Sequence, residues 1–209
     1  NLSTFCNKIN FLSMIGQNSE EISFIKKKLS KSVKFHFFKK KNSPTIIKKR
    51  YIDKINKSKV LGVYDIDDSL ISVNDEENLS SKLKTLLKNT SLTIISDYGH
   101  GFLTKNLINK IINNSNFVAA NAQINAANIG FHSLRNYKKI DFLIINENEI
   151  RHEMRSKSDN LKNLIKRLAK NQKIKYLAVT RGLLGSIFYD KKRNIFYEAD
   201  AFEKNIKDK

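Results

Sequence analysis

From Glu76 onward the chain alternates between helical and strand patterning, and no other feature of its 209 residues restricts the fold as much. The strands are short, unbroken apolar runs: Leu92-Thr93-Ile94-Ile95, Phe142-Leu143-Ile144-Ile145 and Tyr176-Leu177-Ala178-Val179. A strand without polar alternation has both faces covered, which is the pattern of a parallel sheet between helices. The expected fold is therefore α/β with a largely parallel central sheet. Helices are predicted at Glu76–Leu87, Thr104–Ile112, Glu149–Arg155 and Asn160–Lys170. Strands are predicted at Leu92–Tyr98, Phe117–Gln123, Asp141–Asn146 and Tyr176–Thr180, before a hairpin of Ser186–Tyr189 with Ile195–Tyr197.

The first third reads differently. A strand near Ile9–Gly16 precedes a helix capped by Ser19, with Glu20 and Glu21 at its positive end and Ile22, Ile25 and Leu29 as its apolar face. Val33–Lys40 is a strand, and Thr45–Asp53 with Lys59–Asp65 forms a hairpin across Ile55-Asn56-Lys57-Ser58. Residues 33–66 are thus a β-rich excursion from a single domain over 1–209, in line with a length of roughly one domain.

Charge narrows the partners less than it first suggests. Lys and Arg number 39 against 20 Asp and Glu, a net +19, and such a surface attracts polyanions. The lysines are spread over nearly every segment, in small knots at 26–28, 39–41 and 48–50, with no single basic arm or recognition helix. Their company of frequent Asn and Ile points to compositional drift, so no specific nucleic acid is expected. No run reaches the roughly 18 apolar residues of a membrane span. With one cysteine, Cys6, there is no disulfide framework, and no secretory pattern opens the chain, so a cytoplasmic setting is expected. Cys6 is expected as a core thiol on an N-terminal helix.

In parallel sheets ligands sit beyond the carboxyl ends of the strands. Those ends carry Ser96-Asp97-Tyr98-Gly99, Asn121-Ala122-Gln123, Asn146-Glu147-Asn148-Glu149 and Thr180-Arg181-Gly182, four polar or glycine-containing clusters on one predicted edge. Asn146 and Glu149 in the first turn of a helix could hold a hydrated Mg²⁺ near phosphates, or could simply cap the helix. Gly182 and Gly185 after Thr180 allow close backbone approach to a nucleotide, or a tight turn into the last hairpin. Asp97 could bind a hydroxyl or cap a helix.

Other chemistries find little support. Gly99-His100-Gly101 opens like a dinucleotide fingerprint, but Thr104 stands where the third glycine belongs and the next strand ends in Asn121 and Gln123 without an acidic residue. Thr104-Lys105 lacks the glycines of a phosphate loop. His36, His100, His132 and His152 are scattered without zinc spacing, and no G-x-S-x-G elbow occurs.

Taken in order, Thr45-Ile46-Ile47-Lys48-Lys49-Arg50-Tyr51, Ile95-Ser96-Asp97-Tyr98-Gly99-His100-Gly101, Asn146-x-x-Glu149 and Val179-Thr180-Arg181-Gly182-x-x-Gly185 resemble the ribokinase-like (PfkB) carbohydrate kinases. Within them the chain is most similar to the heptose 7-phosphate kinase half of ADP-heptose synthase. The resemblance implies a three-layer sandwich with a small β lid from the 45–65 hairpin, ATP as donor and Mg²⁺ as its metal. It places Asn146, Glu149, Thr180, Arg181, Gly182 and Gly185 at the nucleotide, with Asn146 and Glu149 also at the metal. Arg50, Asp97 and Asn121 fall at a sugar or sugar phosphate. An exposed lid strand offers an edge through which two copies could pair.

The likeness departs at Asn121-Ala122-Gln123, where relatives often carry Asp-Pro-Lys. It departs again at both ends. Asn1-Leu2-Ser3 resembles the middle of the helix after the family's Gly-Gly sugar loop, and Asp208-Lys209 resembles the opening of its Asp-Thr-x-Gly-Ala-Gly-Asp motif. The expectation is a domain cut at both ends, with no nameable catalytic residue and negligible turnover by itself. A noncatalytic basic α/β module that binds polyanions or nucleic acid is the competing expectation.

Overall fold

The computed structural model describes residues 1–18, 20–124, 128 and 132–202. The chain divides into two compact units: Asn1–Leu79 with His100–Phe102, and Ser80–Gly99 with the chain from Leu103 on.

The first unit begins with a 3-10 turn, Leu2–Thr4, and a parallel pair, β1 (Ile9–Ile15) and β2 (Val33–Lys39), linked by helix α1 (Glu20–Lys28). The predicted Ser19 cap lies outside the described residues. Cys6 is half-buried after a single turn rather than held in a helix, because only three residues there are helical; the expected core thiol is not formed. Strands β3 (Ile47–Ile52) and β4 (Lys59–Asp65) pair antiparallel as the expected hairpin. β3 starts two residues late because the Thr45 hydroxyl accepts the Gly16 N–H at 3.0 Å, tying this segment to the end of β1. A side chain at Gly16 would meet the backbone of Ser43, Pro44 and Thr45. The buried Lys40 ammonium donates to Ser69 O (2.7 Å), Ser69 Oγ (2.9 Å) and Asp67 O (3.2 Å), and pairs with the Asp67 carboxylate at 2.9 Å.

Helix α2 (Val73–Leu87) runs from the first unit into the second. It starts three residues before the predicted Glu76, since Ser72 and Asp75 bond reciprocally: the Ser72 hydroxyl accepts the Asp75 N–H and donates to its carboxylate.

The second unit holds β5 (Thr93–Asp97), α3 (Lys105–Asn114), β6 (Val118–Ala122), β7 (Phe142–Asn146), α4 (Glu147–Glu153), α5 (Leu161–Gln172), β8 (Tyr176–Thr180), β9 (Ser186–Asp190) and β10 (Ile195–Ala199). Its six-stranded sheet has the order β10-β9-β8-β7-β6-β5; β5 to β8 are parallel, and the closing hairpin is antiparallel. Thr104 caps α3 by accepting the Leu107 N–H at 3.1 Å, and Asn160 caps α5. One stripe of each helix is apolar and buried: Leu107, Ile108 and Ile111 on α3, and Leu164, Ile165 and Leu168 on α5. Together with Val118, Leu143, Ile145, Leu177 and Val179 they make the core. The second unit is thus an α/β fold with a mostly parallel central sheet. Among the described residues no helix is long and apolar enough to cross a membrane.

Candidate functional site at the strand ends

Register alone lines up the predicted residues of the second unit. Asp97 stands opposite Ala122, Asn121 opposite Ser96, and Asn146 opposite Thr180. Neighbouring strands lie about 4.8 Å apart, so β5 to β8 presents these groups along about 14 Å of one edge. Two surface hollows of the unit, about 460 and 370 Å³, are lined by none of them.

At β5, the buried Asp97 carboxylate accepts the Gly99 N–H at 2.8 Å on one oxygen and the Tyr137 phenol on the other. Tyr137 is fully enclosed; burial first, and then the Asp97 charge, push its ionisation far upward, so it remains a donor. His132 Nε2 stands 3.9 Å from the same carboxylate oxygen and has no hydrogen-bond partner among the described residues. Gly99, at φ +69°, is required here: a Cβ would come within 2.9 Å of His132 and of Asn128. Asn128 closes this corner by donating to Tyr98 O and Gln123 O. Asn121 is turned to the sheet itself, its amide donating to Ile144 O at 2.8 Å.

At β7, Asn146 and Glu149 complete a capping box. Asn146 Oδ1 accepts the Glu149 N–H at 2.8 Å, and Glu149 Oε2 accepts the Asn146 N–H at 2.7 Å. Helix α4 therefore begins at Glu147, directly after the strand and two residues before its predicted start. The other Glu149 oxygen accepts the Ile124 N–H at 3.2 Å. Burial raises the Glu149 carboxyl above its ordinary range, against the pull of these two N–H groups and of His132. Both oxygens are thus engaged by backbone, and among the described residues no group of three or more His, Cys, Asp or Glu is placed to hold a metal ion. The donor set does not fit a directly ligated Mg²⁺.

At β8, Arg181 donates through Nε to Glu147 Oε2 at 3.2 Å, while Glu147 Oε1 accepts Arg151 Nε and Nη2 at 2.9 and 2.7 Å. Partial burial pushes Glu147 upward, but the two guanidinium groups outweigh it and hold the carboxyl below its usual range. Thr180 and Gly182 are exposed at the edge, and Gly182 has φ +59°. Gly185, at φ +76°, has a packing reason: a Cβ there would lie 2.0 Å from Ala199 O. Arg50 belongs to the first unit, on β3 opposite Gly62.

Sequence reasoning quoted Glu147 within its cluster without assigning it a role; its i,i+4 spacing to Arg151 is local, whereas its pairing with Arg181 needs β7 and β8 to be adjacent. Tyr137 lies 40 residues from Asp97 and belongs to no motif, so nothing local could have marked it.

Several solved structures share this fold. They include a ribokinase from Giardia lamblia (TM-score 0.69, 12% identity, covering 94% of this chain and 61% of that one). Phosphofructokinase-2 from Escherichia coli in complex with fructose-6-phosphate matches at TM-score 0.69 and 11% identity, over 92% of this chain and 62% of that one. Its tetrameric inhibited form matches at 0.66 and 10%, over 90% and 62%. This chain thus spans about three fifths of the length of those structures. A comparison with curated proteins finds no match. The model of the pfkB family of carbohydrate kinases matches residues 1–208, and the chain belongs to that family.

Proposed function

We propose that the intact protein transfers the γ-phosphoryl group of ATP to a hydroxyl of a sugar or sugar phosphate, and that the strand ends of β5 to β8 are where the two substrates meet. The observation that carries this reading is the alignment of Asp97, Asn146 and Thr180 on one edge, with Arg181 held there by Glu147. Phosphoryl transfer of this kind depends mainly on in-line positioning and charge stabilisation. In this reading Arg181 and the backbone around Gly182 face the phosphates, and the capping box of Asn146 and Glu149 fixes the start of α4 beside them. Asp97, oriented by Tyr137 and Gly99, accepts a substrate hydroxyl, with Asn121 on the neighbouring strand. Mg²⁺ belongs to this proposal as an ion carried on the ATP phosphates, meeting Asn146 and Glu149 through water.

The heptose phosphate reading rests on the motif resemblance and on Arg50. The Gly-Ala-Gly-Asp segment to which that resemblance assigns the catalytic base does not occur in the 209 residues, so we expect binding without measurable turnover. Pairing of two copies through the hairpin is supported by the exposed Ile47, Tyr51, Leu61 and Val63, which share one of its faces.

Calorimetric titration with Mg-ATP tests the reading. Saturable binding is expected, weakened about tenfold or more in Arg181→Ala and Glu149→Ala and unaffected by added DNA. No nucleotide binding, together with tight DNA binding of steep salt dependence, overturns it in favour of a polyanion-binding module.

A further inference from the structure

The smaller hollow of the second unit, about 370 Å³, lies away from the strand ends that carry Asp97, Asn146 and Thr180. Arg135 and Lys138 reach it from the turn before β7, Glu153 and Arg155 from the end of α4, and Gln172 from the end of α5. The Lys139 N–H donates to Gln172 O at 2.7 Å just before β7 and β8 begin, so this wall sits at the amino ends of both strands. Strands of five residues rise about 3.3 Å per residue, which puts their two ends about 15 Å apart.

The wall is built around Glu153, whose side chain is 7% exposed. Its Oε2 accepts the Leu134 N–H and the Ser133 hydroxyl, both at 3.1 Å, and its Oε1 accepts Arg135 Nε at 3.2 Å. The carboxylate is thereby engaged on both oxygens, and it fixes Arg135 through Nε while the outer guanidinium nitrogens stay open to another acceptor. Lys138 and Arg155 are exposed and, among the described residues, pair with no carboxylate. Arg155 has φ +50°, a left-handed turn after α4 that glycine takes most easily; here the position carries a cation instead. Gln172 is only 5% exposed, and its Oε1 is buried with no hydrogen-bond partner among the described residues. A buried amide oxygen without a donor is costly, so a donor supplied by a ligand is favoured there.

We propose that this hollow binds a small hydroxylated polycarboxylate, with Arg135, Lys138 and Arg155 holding its carboxylates and Gln172 Oε1 accepting a hydrogen bond from its hydroxyl. Three cations against one engaged carboxylate leave an excess of positive charge. They stand on two walls, the turn before β7 and the end of α4, which suits anionic groups spread along a molecule better than one compact anion. Met154 and Leu168 supply an apolar surface for its carbon atoms. The volume falls within the range of small-molecule sites, about 300–1,000 Å³. This site goes beyond phosphoryl transfer and holds whether or not the nucleotide reading does.

Calorimetry and amide NMR of the full chain decide it, with citrate, tricarballylate (the same tricarboxylate without the hydroxyl) and sulfate as probes at matched ionic strength. Citrate is expected to shift residues 135–138, 153–155 and 171–172 saturably. Tricarballylate is expected to bind about tenfold more weakly, the worth of one hydrogen bond to an otherwise unpaired acceptor, and sulfate more weakly still. Lys138→Gln combined with Arg155→Gly weakens both carboxylates tenfold or more; both side chains are exposed and glycine suits the turn, so the fold is kept. Gln172→Met lowers citrate to the level of tricarballylate and leaves tricarballylate unchanged, which a damaged fold would not do. Equal wild-type affinity for citrate and tricarballylate overturns the proposal. So does sulfate that binds as tightly as citrate, unchanged affinity in the double variant, or shifts scattered over lysines elsewhere.

Discussion

The six-stranded sheet and the β3–β4 hairpin are built from similar β-branched and aromatic residues, yet every residue of β3 is exposed while Leu143, Ile145, Leu177 and Val179 are sealed. The difference lies in what covers them. The apolar runs of β7 and β8 are buried or half-buried for most of their length, whereas Leu92 and Ile94 at the edge strand β5 are exposed against the sequence expectation, and all these strands align polar groups at their ends. The hairpin carries Lys48, Lys49 and Arg50 in a row between apolar residues of β3, and all six residues of that strand lie open to solvent. One region is sealed and fixed in its geometry; the other is open.

That contrast can be broken by mutation. Leu164→Ala, in the stripe of α5 that is fully buried, is expected to cost about 2–5 kcal/mol in urea unfolding. Glu149→Ala removes the acceptor for two backbone N–H groups at the start of α4 and is expected to cost about 2–4 kcal/mol. Tyr137→Phe keeps the ring and deletes the donor to a buried carboxylate, for about 1.5–3 kcal/mol. Val63→Ala, on the open hairpin, should change stability by less than about 0.5 kcal/mol. A hairpin variant as costly as the core variant would erase the contrast.

Acid sensitivity sharpens it with opposite signs. Hydrogen bonds from Ser69 and then Lys40 hold Asp67 well below the usual carboxylate range. Its contribution is present above the unfolded value of about 3.9 and is lost as pH falls through the lower folded one. Glu149 is raised by burial, so its contribution is present below about 4.3 and is lost as pH rises through the folded value. Asp67→Asn should therefore flatten the acid limb of the stability profile, and Glu149→Gln should flatten the decline toward neutral pH.

The order of elements was legible because apolar periodicity reports burial directly. Boundaries slipped where a side chain captured backbone: Ser72 with Asp75 started α2 early, Asn146 with Glu149 started α4 early, and Thr45 delayed β3. The strand-end residues were legible as a row, since parallel topology fixes which end gathers them. Their partners were not. The bonds from Tyr137 to Asp97 and from Arg181 to Glu147 join segments that only the folded sheet makes neighbours.

Amide-resolved NMR of the chain during Mg-ATP addition tests the nucleotide site most directly. The account predicts saturable shifts concentrated at Asn146–Glu149 and Thr180–Gly185, with the buried face of α5 unmoved. Shifts confined to other residues, or none at millimolar nucleotide, would contradict it.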